Sequence, residues 1–290
     1  MAHAVLGVAA VAALCSATSF GVASAVQHLE AGEVVQRRAL DPRLLTSLVG
    51  RPLWLLGIAG DVVGVLLQLV ALHYGPVPLV QALLVATLPV AVVASAVLRR
   101  VKVARRELRA VLLCCAGLVL LTPVAATHAL GRVGSARTWA ASGAVLALAT
   151  AGLLLTARLR PALAPLAVGV AAGVSAGTSA VLLAVCAREV LAPARLFATA
   201  APYAVLVVGA MALLLTQASF QTGGLVAPLA ALTVSEPIVA VVLSVAVLHQ
   251  QLSPAPAARL AGLAGAVVSV VGVLILAETR SESADPIGVL

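Results

Sequence analysis

The sequence predicts an all-α polytopic membrane protein with about nine transmembrane helices, arranged as two inverted four-helix repeats joined by a linker helix. Three observations predict this fold. Apolar residues make up 62% of the 290 residues and charged residues only 10%, against roughly 45–50% and 25% in ordinary globular domains. Apolar stretches of about twenty residues, the length that crosses a bilayer as a helix, recur along the chain. Short segments of the first half also reappear, in the same order, in the second half.

The apolar stretches define nine predicted spans separated by short polar loops. No loop is long enough for a separate soluble domain, so residues 1–290 are predicted to form one membrane-embedded domain. The predicted spans cover residues 3–27, 52–74, 76–98, 107–126, 138–157, 162–186, 199–220, 223–249 and 256–277.

The distribution of Lys and Arg predicts the orientation of these spans. Thirteen of the 18 basic residues lie in loops on one side and five on the other. The positive-inside rule places the richer loops in the cytoplasm, which puts the N-terminus outside a plasma membrane and the C-terminus inside. Trp54, Trp139, Tyr74 and Tyr203 lie near span ends, where interfacial aromatic side chains are expected. The basic residues of the richer side are Arg37, Arg38, Arg43, Arg51, Arg99, Arg100, Lys102, Arg105, Arg106, Arg109, Arg158, Arg160 and Arg280.

Composition and charge also indicate which classes of binding partner to expect. The net charge of +8 does not indicate nucleic acid, because the basic residues sit in short loops between apolar spans. The lipid bilayer and a small-molecule or ion substrate are the expected partners, and a homodimer stays open. The four cysteines and five histidines show no metal-ligand spacing, and no catalytic triad or other enzyme motif is found. We therefore expect neither catalytic residues nor a cofactor.

The internal repeat rests on three matches in a common order. Residues 75–89 align without gaps on residues 223–237, with Gly75 on Gly223 and Pro89 on Pro237. The tetrapeptide GVAA opens both span one and span six, and AGLVLL in span four parallels VGVLIL in span nine.

These matches divide the domain into repeat one (3–126), a linker helix (138–157), repeat two (162–277) and a cytoplasmic tail (278–290). Because a single helix separates the two copies, the second copy is inverted in the membrane. Inverted repeats recur in secondary transporters, with the substrate site near the bilayer midplane where the copies meet.

Two acidic residues lie deep in the predicted spans. Glu236 is roughly 18 Å from either end of span eight at the helical rise of about 1.5 Å per residue, and Asp61 lies near the middle of span two. No Lys or Arg lies equally deep in any span. Acids in this position usually mark an ion or substrate pathway. The alternative is that each acid only hydrogen-bonds a neighbouring helix.

Small and polar neighbours accompany both acids. At helical spacing Asp61 shares a face with Gly57, Gly64 and Gln68, and Glu236 shares one with Thr233, Ala240 and Ser244. Pro237 and Pro89 cannot donate a backbone hydrogen bond, so we expect free carbonyls at Thr233 and Val85. The candidate pathway residues are Glu236, Asp61, Pro237, Thr233, Gln68, Gln217, Ser175, Thr178 and Gln81.

The Ser, Thr and Gln residues also have a structural reading as packing contacts between helices. The glycines at 169, 173 and 177, and those at 60 and 64, are predicted to be close-packing faces without a substrate role.

The segment SEP at 235–237, followed by an apolar half-helix and LHQQLS at 248–253, resembles the penultimate-helix pattern of the drug/metabolite transporter superfamily (EamA-type). Glu236 and Pro237 match that pattern, and Gln250 stands where it has a second Glu. The nine-span count, the polar stretch 28–51 and the mid-span acid in PLWLLGIAGDVVG are similar to the NIPA-like magnesium transporters. The resemblance covers nearly the whole chain and implies a transporter.

The expected function is secondary-active transport of a small neutral or cationic metabolite or drug, with proton coupling and alternating access. Two deep acids without a deep base disfavour an anionic cargo, and the scarcity of aromatic residues disfavours an aromatic cage for a bulky organic cation. A magnesium or other divalent cation transporter is an alternative, with Glu236 and Asp61 as the metal ligands. A non-transporting membrane scaffold, in which the acids are purely structural, is the other.

Overall fold

The structure of the protein, a computed structural model, describes residues 2–32, 43–75, 77–121, 136–189, 193–221, 225–249 and 255–281. All regular secondary structure in these segments is helical. The twelve α-helices are α1 (Ala2–Gly32), α2 (Arg43–Val49), α3 (Pro52–Tyr74), α4 (Val77–Leu84), α5 (Thr87–Arg99), α6 (Arg105–Leu121), α7 (Ala136–Leu159), α8 (Ala164–Glu189), α9 (Pro193–Ala198), α10 (Ala201–Gln221), α11 (Val226–Ala246) and α12 (Pro256–Ser281).

Eight of the described helical stretches are long and apolar enough to cross a membrane, so the chain is a multi-pass helical membrane protein. The fourth predicted span, 107–126, corresponds to α6, which is 17 residues long, and its last five residues lie outside the described residues. The eight stretches are Leu6–Ala31, Pro52–Tyr74, Leu79–Arg99, Thr138–Leu159, Pro161–Ala187, Ala201–Gln221, Val226–Ala246 and Pro256–Leu276.

The third predicted span is interrupted, because α4 ends at Leu84 and α5 begins at Thr87. Pro89 has no N–H for the carbonyl of Val85, and its ring crowds that carbonyl. The chain responds by tightening into a turn in which the Leu88 N–H donates to the Val85 carbonyl at 3.1 Å. The expectation of a free carbonyl at Val85 is therefore wrong.

Part of the polar stretch 28–51 between the first two spans is helical. Helix α1 continues to Gly32, and the seven-residue α2 precedes α3. At about 1.5 Å per residue, α2 is roughly 10 Å long and cannot cross a bilayer. Arg51, just before α3, forms an ion pair with Glu30 near the end of α1 at 2.7 Å. This ion pair ties the end of the first span to the start of the second.

The helices pack in pairs that recur in the two halves. Helix α1 packs mainly on α3 and on α4 and α5, and α8 packs mainly on α10 and α11. Helix α6 packs along α12, the last helix of the described chain, and α7 packs on α8. Between these pairs, α3 touches α8, α1 touches α10, and α4 and α5 touch α11.

Small residues allow the closest of these approaches, as the glycine patterns predict. A Cβ atom added at Gly60 would lie 3.1 Å from the Cβ of Ala23 on α1, and one at Gly64 would lie 2.7 Å from the ring of Phe20. Ser16 and Ser19 of α1 donate hydrogen bonds to the carbonyls of Gly64 and Gly60, each at 2.7 Å. Helices α1 and α3 are thus held by hydroxyl-to-backbone bonds as well as by packing.

Candidate functional site

Asp61 lies on the face of α3 that meets α1, and it is half-buried. One carboxylate oxygen accepts a hydrogen bond of 2.5 Å from Nε2 of Gln27, near the end of α1. Gly57, one turn before Asp61, makes room for this side chain, since a Cβ atom there would lie 2.6 Å from Gln27 Cγ. The deep acid of the second span therefore has an amide partner and not a basic one.

The hydrogen bonds continue from Gln27 into the second half of the chain. The Oε1 atom of Gln27 accepts a bond from Nε2 of Gln217 on α10. Gln217 Oε1 in turn accepts a bond of 3.2 Å from the indole N–H of Trp54. Gln27, Gln217 and Trp54 are each at most 4% exposed. We call these three residues and Asp61 the amide network; it joins α1, α3 and α10.

Two of its members depart from the sequence prediction. Gln27 lies at the very end of the first predicted span and is not among the candidate pathway residues, although it is the centre of the network. Trp54 was expected at the membrane interface, but it is buried and hydrogen-bonded inside the protein. The sequence does contain a signal, since Gln27 and Gln217 each lie near the end of an apolar span. Analysis of one helix at a time does not reveal that these two side chains meet.

Glu236 lies in the middle of α11 and is half-buried. Its neighbours one turn away on the same face, Thr233 and Ala240, are buried, as are Leu229 and Leu243 two turns away, so the side chain is directed into the protein and not towards lipid. Among the described residues, its carboxylate has neither a hydrogen bond nor an ion pair. The two deep acids thus differ in their partners.

Two buried side chains on the Glu236 face of α11, and one on the neighbouring helix α4, carry polar atoms that are also unsatisfied. Within the described segments, buried side-chain oxygen and nitrogen atoms without a hydrogen-bond partner occur on three residues only: Gln81, Thr233 and Ser244. Thr233 and Ser244 share the face of α11 that carries Glu236. Gln81 belongs to α4, which packs against α11. All three are at most 5% exposed, so water outside the protein does not satisfy them.

Helix α11 is held close to α8 by the predicted glycine face. Cβ atoms added at Gly169 and Gly173 would lie 2.6 Å from the carbonyl oxygens of Pro228 and Leu232, and one at Gly177 would collide with the carbonyl oxygen of Glu236. The glycines and the carbonyls both recur every four residues, so the two backbones run in contact for two turns. This contact fixes the backbone position of Glu236.

The remaining predicted site residues lie elsewhere. Ser175 and Thr178 donate to the carbonyls of Ala171 and Val174 in their own helix, at 3.1 and 2.7 Å. Ser175 lies on the side of α8 away from the glycine face. Gln68 is buried on the α3 face that meets α1. None of these three contacts Glu236 through a hydrogen bond.

The two aligned prolines behave differently. Pro237 lies inside the uninterrupted helix α11 and is buried, whereas Pro89 follows the break between α4 and α5. Pro237 still offers no N–H to the Thr233 carbonyl. Gln250, which replaces the second Glu of the superfamily pattern, lies outside the described residues.

Metal ligands are sparse in the described segments, where no group of three or more His, Cys, Asp or Glu side chains could hold a metal ion. The buried cysteine Cys114 packs between α6 and α12, where a Cβ atom at Gly272 would lie 2.5 Å from its Sγ. Cysteine therefore serves packing at this position.

Comparison with known proteins identifies no relative of this chain. No protein-family model matches the chain, and neither the curated proteins nor the solved structures contain a significant match. The functional argument therefore rests on the residues and contacts described above.

Proposed function

We propose that the protein is a secondary-active transporter of a small neutral or cationic metabolite or drug, with proton coupling and alternating access. One observation carries the proposal: the unsatisfied buried polar atoms of the described residues are confined to α4 and α11, and α11 also holds the unpaired Glu236. Buried polar groups are almost always hydrogen-bonded in native proteins, and those that are not call for a ligand, water or ion.

Charge limits the cargo. A carboxylate without a basic partner attracts a cation or a proton and repels an anion. The hydroxyl oxygens of Thr233 and Ser244 and the amide oxygen of Gln81 are further acceptors, while the amide nitrogen of Gln81 is a donor. This set suits a molecule with N–H or O–H groups.

The architecture we propose is that of nine spans in two inverted repeats, with α6 as the fourth span and α7 as the linker helix. The recurring packing supports it, since the first helix of each half packs on the second and third of the same half. The contacts between the halves follow the same relation. Helices α1 and α3 of the first half correspond to α8 and α10 of the second, so the contact of α3 with α8 corresponds to that of α10 with α1. Such a correspondence is what a two-fold relation between the repeats requires.

The proposed orientation has the N-terminus outside the plasma membrane and the C-terminus in the cytoplasm, following the loop charges. A reporter fused after Leu290 should be cytoplasmic, and one before Met1 should be external. Finding both reporters on the same side would overturn the nine-span proposal, because an odd number of spans separates the termini.

A drug/metabolite transporter, as the SEP segment suggests, remains our first choice over a divalent cation transporter. Magnesium is held by several oxygen ligands, often carboxylates, and the described residues offer no cluster of three acidic or metal-ligating side chains. Glu236 and Asp61 also have different neighbours, and no hydrogen bond of the amide network reaches Glu236.

The experiment is a flux screen in reconstituted vesicles, with and without a proton gradient. The panel compares small amines, neutral amino acids, amphiphilic cations, phosphorylated sugars and magnesium. We expect accumulation of an amine, a neutral solute or an amphiphilic cation that depends on the gradient, and none of the phosphorylated sugars. Magnesium flux alone would favour the divalent cation alternative. No flux of any member, with folded protein in the vesicles, would favour the scaffold.

A further inference from the structure

The amide network lies where the ends of α1 and α10 meet, apart from Glu236. Its hydrogen bonds run in one direction: Trp54 donates to Gln217, Gln217 donates to Gln27, and Gln27 donates to Asp61. Each of the two glutamines uses its oxygen as acceptor and its nitrogen as donor. The network therefore links the first half of the chain to the second through two hydrogen bonds at Gln217, one from the Trp54 indole and one to the Gln27 amide.

Two further contacts join the same helix ends. The rings of His28 and Phe220 meet edge to face with their centroids 5.5 Å apart, and Gln221 Nε2 donates to the Ala31 carbonyl at 3.4 Å. Together with the bond between Gln27 and Gln217, they form what we call the α1–α10 seam. Its contacts fall on one side of each helix, at 27, 28 and 31 and at 217, 220 and 221.

A related seam lies between α3 and α8. There His73 Nδ1 lies 3.0 Å from the carbonyl oxygen of Ala187. When the gapless alignment of 75–89 on 223–237 is extended by two residues, His73 falls on Gln221. In both seams, a side chain at the end of the second helix of one half meets a backbone carbonyl near the end of the first helix of the other half.

The two seams differ in chemistry. Ala71 and Leu72 of α3 share an apolar cluster with Val181 and Ala184 of α8, whereas the α1–α10 seam is joined by buried amides. A buried amide pair is held by hydrogen bonds that water can replace when the helices part, so its polar groups stay satisfied when the seam opens.

We propose that the bond between Gln27 and Gln217 is the closed gate at the α1–α10 seam, and that Gln27 is the positioning residue that couples this gate to Asp61. The inference rests on the proposed transport function, and it assigns the seam to the side on which α1 ends. In the proposed orientation, that side is the cytoplasm. The seam between α3 and α8 is the gate on the opposite side.

The test is the accessibility of a reporter cysteine behind the gate. Leu214 lies one turn before Gln217 and is half-buried, so Leu214→Cys, in a chain whose four native cysteines are replaced by alanine, reports opening. A membrane-impermeant maleimide is added to one side of vesicles that hold the protein in one orientation. Gln27→Leu removes both hydrogen bonds of the Gln27 side-chain amide. Gln68→Leu is the matched control, since Gln68 is buried on α3 outside the amide network.

We expect labelling from the side of the α1–α10 seam to be about tenfold faster in Gln27→Leu than in Gln68→Leu, because the hydrogen bond between Gln27 and Gln217 that holds the closed seam is lost. Labelling from the other side should not rise. Equal rates in the two variants, or a rise from both sides, would overturn the gate. If Gln27→Leu does not fold, Trp54→Phe removes only the first donor, and about a threefold rise is expected.

Labelling needs no cargo, so the gate and the transport function are tested separately. If labelling is side-specific but the protein transports none of the solutes, the transport proposal is wrong, and the seam still opens. Flux of a solute with unchanged labelling in Gln27→Leu would keep transport and overturn the gate.

Discussion

The carboxylates of Asp61 and Glu236 differ in their hydrogen-bond partners, although both lie deep in the predicted spans. Both are acids in the middle of apolar helices, and both are half-buried. Asp61 accepts a hydrogen bond from Gln27, which belongs to a network that joins three helices. Glu236 has no such partner among the described residues, and Thr233 and Ser244 on its face are equally unsatisfied.

The difference separates a structural polar group from a binding one. A buried polar group whose partners are all present stabilises the fold, and its loss leaves other groups unsatisfied. A buried group without partners costs free energy in the unliganded protein, which a ligand recovers when it binds. By this reasoning, substitution of Asp61 itself should act mainly on stability, and substitution of Glu236 itself mainly on transport.

The largest expected effect is that of Glu236→Gln. Gln keeps the shape of the side chain and removes its charge, so the proton or the cationic group of the cargo loses its counter-charge. Hydrogen bonds to charged groups are worth roughly 1.5–3 kcal/mol, so transport should fall by about tenfold to a hundredfold. The thermal midpoint should change little, since no bond of the described structure is broken. The measurement is flux in vesicles across a range of pH.

The control for this variant is Glu107→Gln, the same change in the first turn of α6, which follows a basic loop. It should leave transport at the level of the unmodified protein. Wild-type flux and an unchanged pH profile in Glu236→Gln would contradict the assignment and make Glu236 a packing residue.

Asp61 should respond mainly in stability. Asp61→Leu leaves the Gln27 amide nitrogen without an acceptor, which should lower the free energy of unfolding by about 1–3 kcal/mol. Asp61→Asn offers an oxygen in the same place and should recover most of this loss, with a smaller reduction of transport than Glu236→Gln. Thermal unfolding in detergent and flux in vesicles measure the two effects. A loss of transport in Asp61→Asn as large as that in Glu236→Gln would erase the distinction between the two acids.

The backbone contact beneath Glu236 should tolerate no side chain. In Gly177→Ala the new Cβ meets the Glu236 carbonyl oxygen and lies 3.1 Å from the Cβ of Val239, so α8 and α11 must separate. Overpacking of this kind costs about 1–3 kcal/mol, and it should also lower transport because Glu236 moves. Gly152→Ala is the control, since nothing lies within 4 Å of a Cβ atom there. Equal midpoints for the two variants would contradict the close packing of α8 on α11.

The sequence predicts the helices well and their partners poorly. Span two was predicted at 52–74 and is observed as Pro52–Tyr74, because its apolar run ends at a Pro on one side and a Gly on the other. The glycine faces of α3 and α8 were also predicted, since spacing along one helix reveals them. Trp54 and Gln27 were missed because their roles depend on Gln217, which is far away in the sequence and close only in the fold.

The two prolines show a second limit. The alignment of Pro89 with Pro237 predicts equivalent irregularities, but the chain breaks only near Pro89. The reason lies in packing, because the turns of α11 that lead up to Pro237 lie directly against the glycine face of α8, which contacts the carbonyls of Pro228, Leu232 and Glu236. A local pattern identifies where a helix is weakened, and tertiary contacts decide whether it breaks.

The smallest expected effect tests the comparison most directly, through two buried serines. Ser16 and Ser244 are both fully buried, but Ser16 donates to the Gly64 carbonyl at 2.7 Å and Ser244 has no partner among the described residues. Ser16→Ala should therefore lower the free energy of unfolding by about 1 kcal/mol, whereas Ser244→Ala should raise it by about 0.5–1 kcal/mol, because an unsatisfied hydroxyl is removed. If Ser244 serves the cargo, its variant should also transport less while unfolding at a higher temperature, a combination that a packing role does not produce. A lower midpoint in Ser244→Ala would show that this hydroxyl is satisfied within the protein, and the α11 face would then resemble the Asp61 region after all.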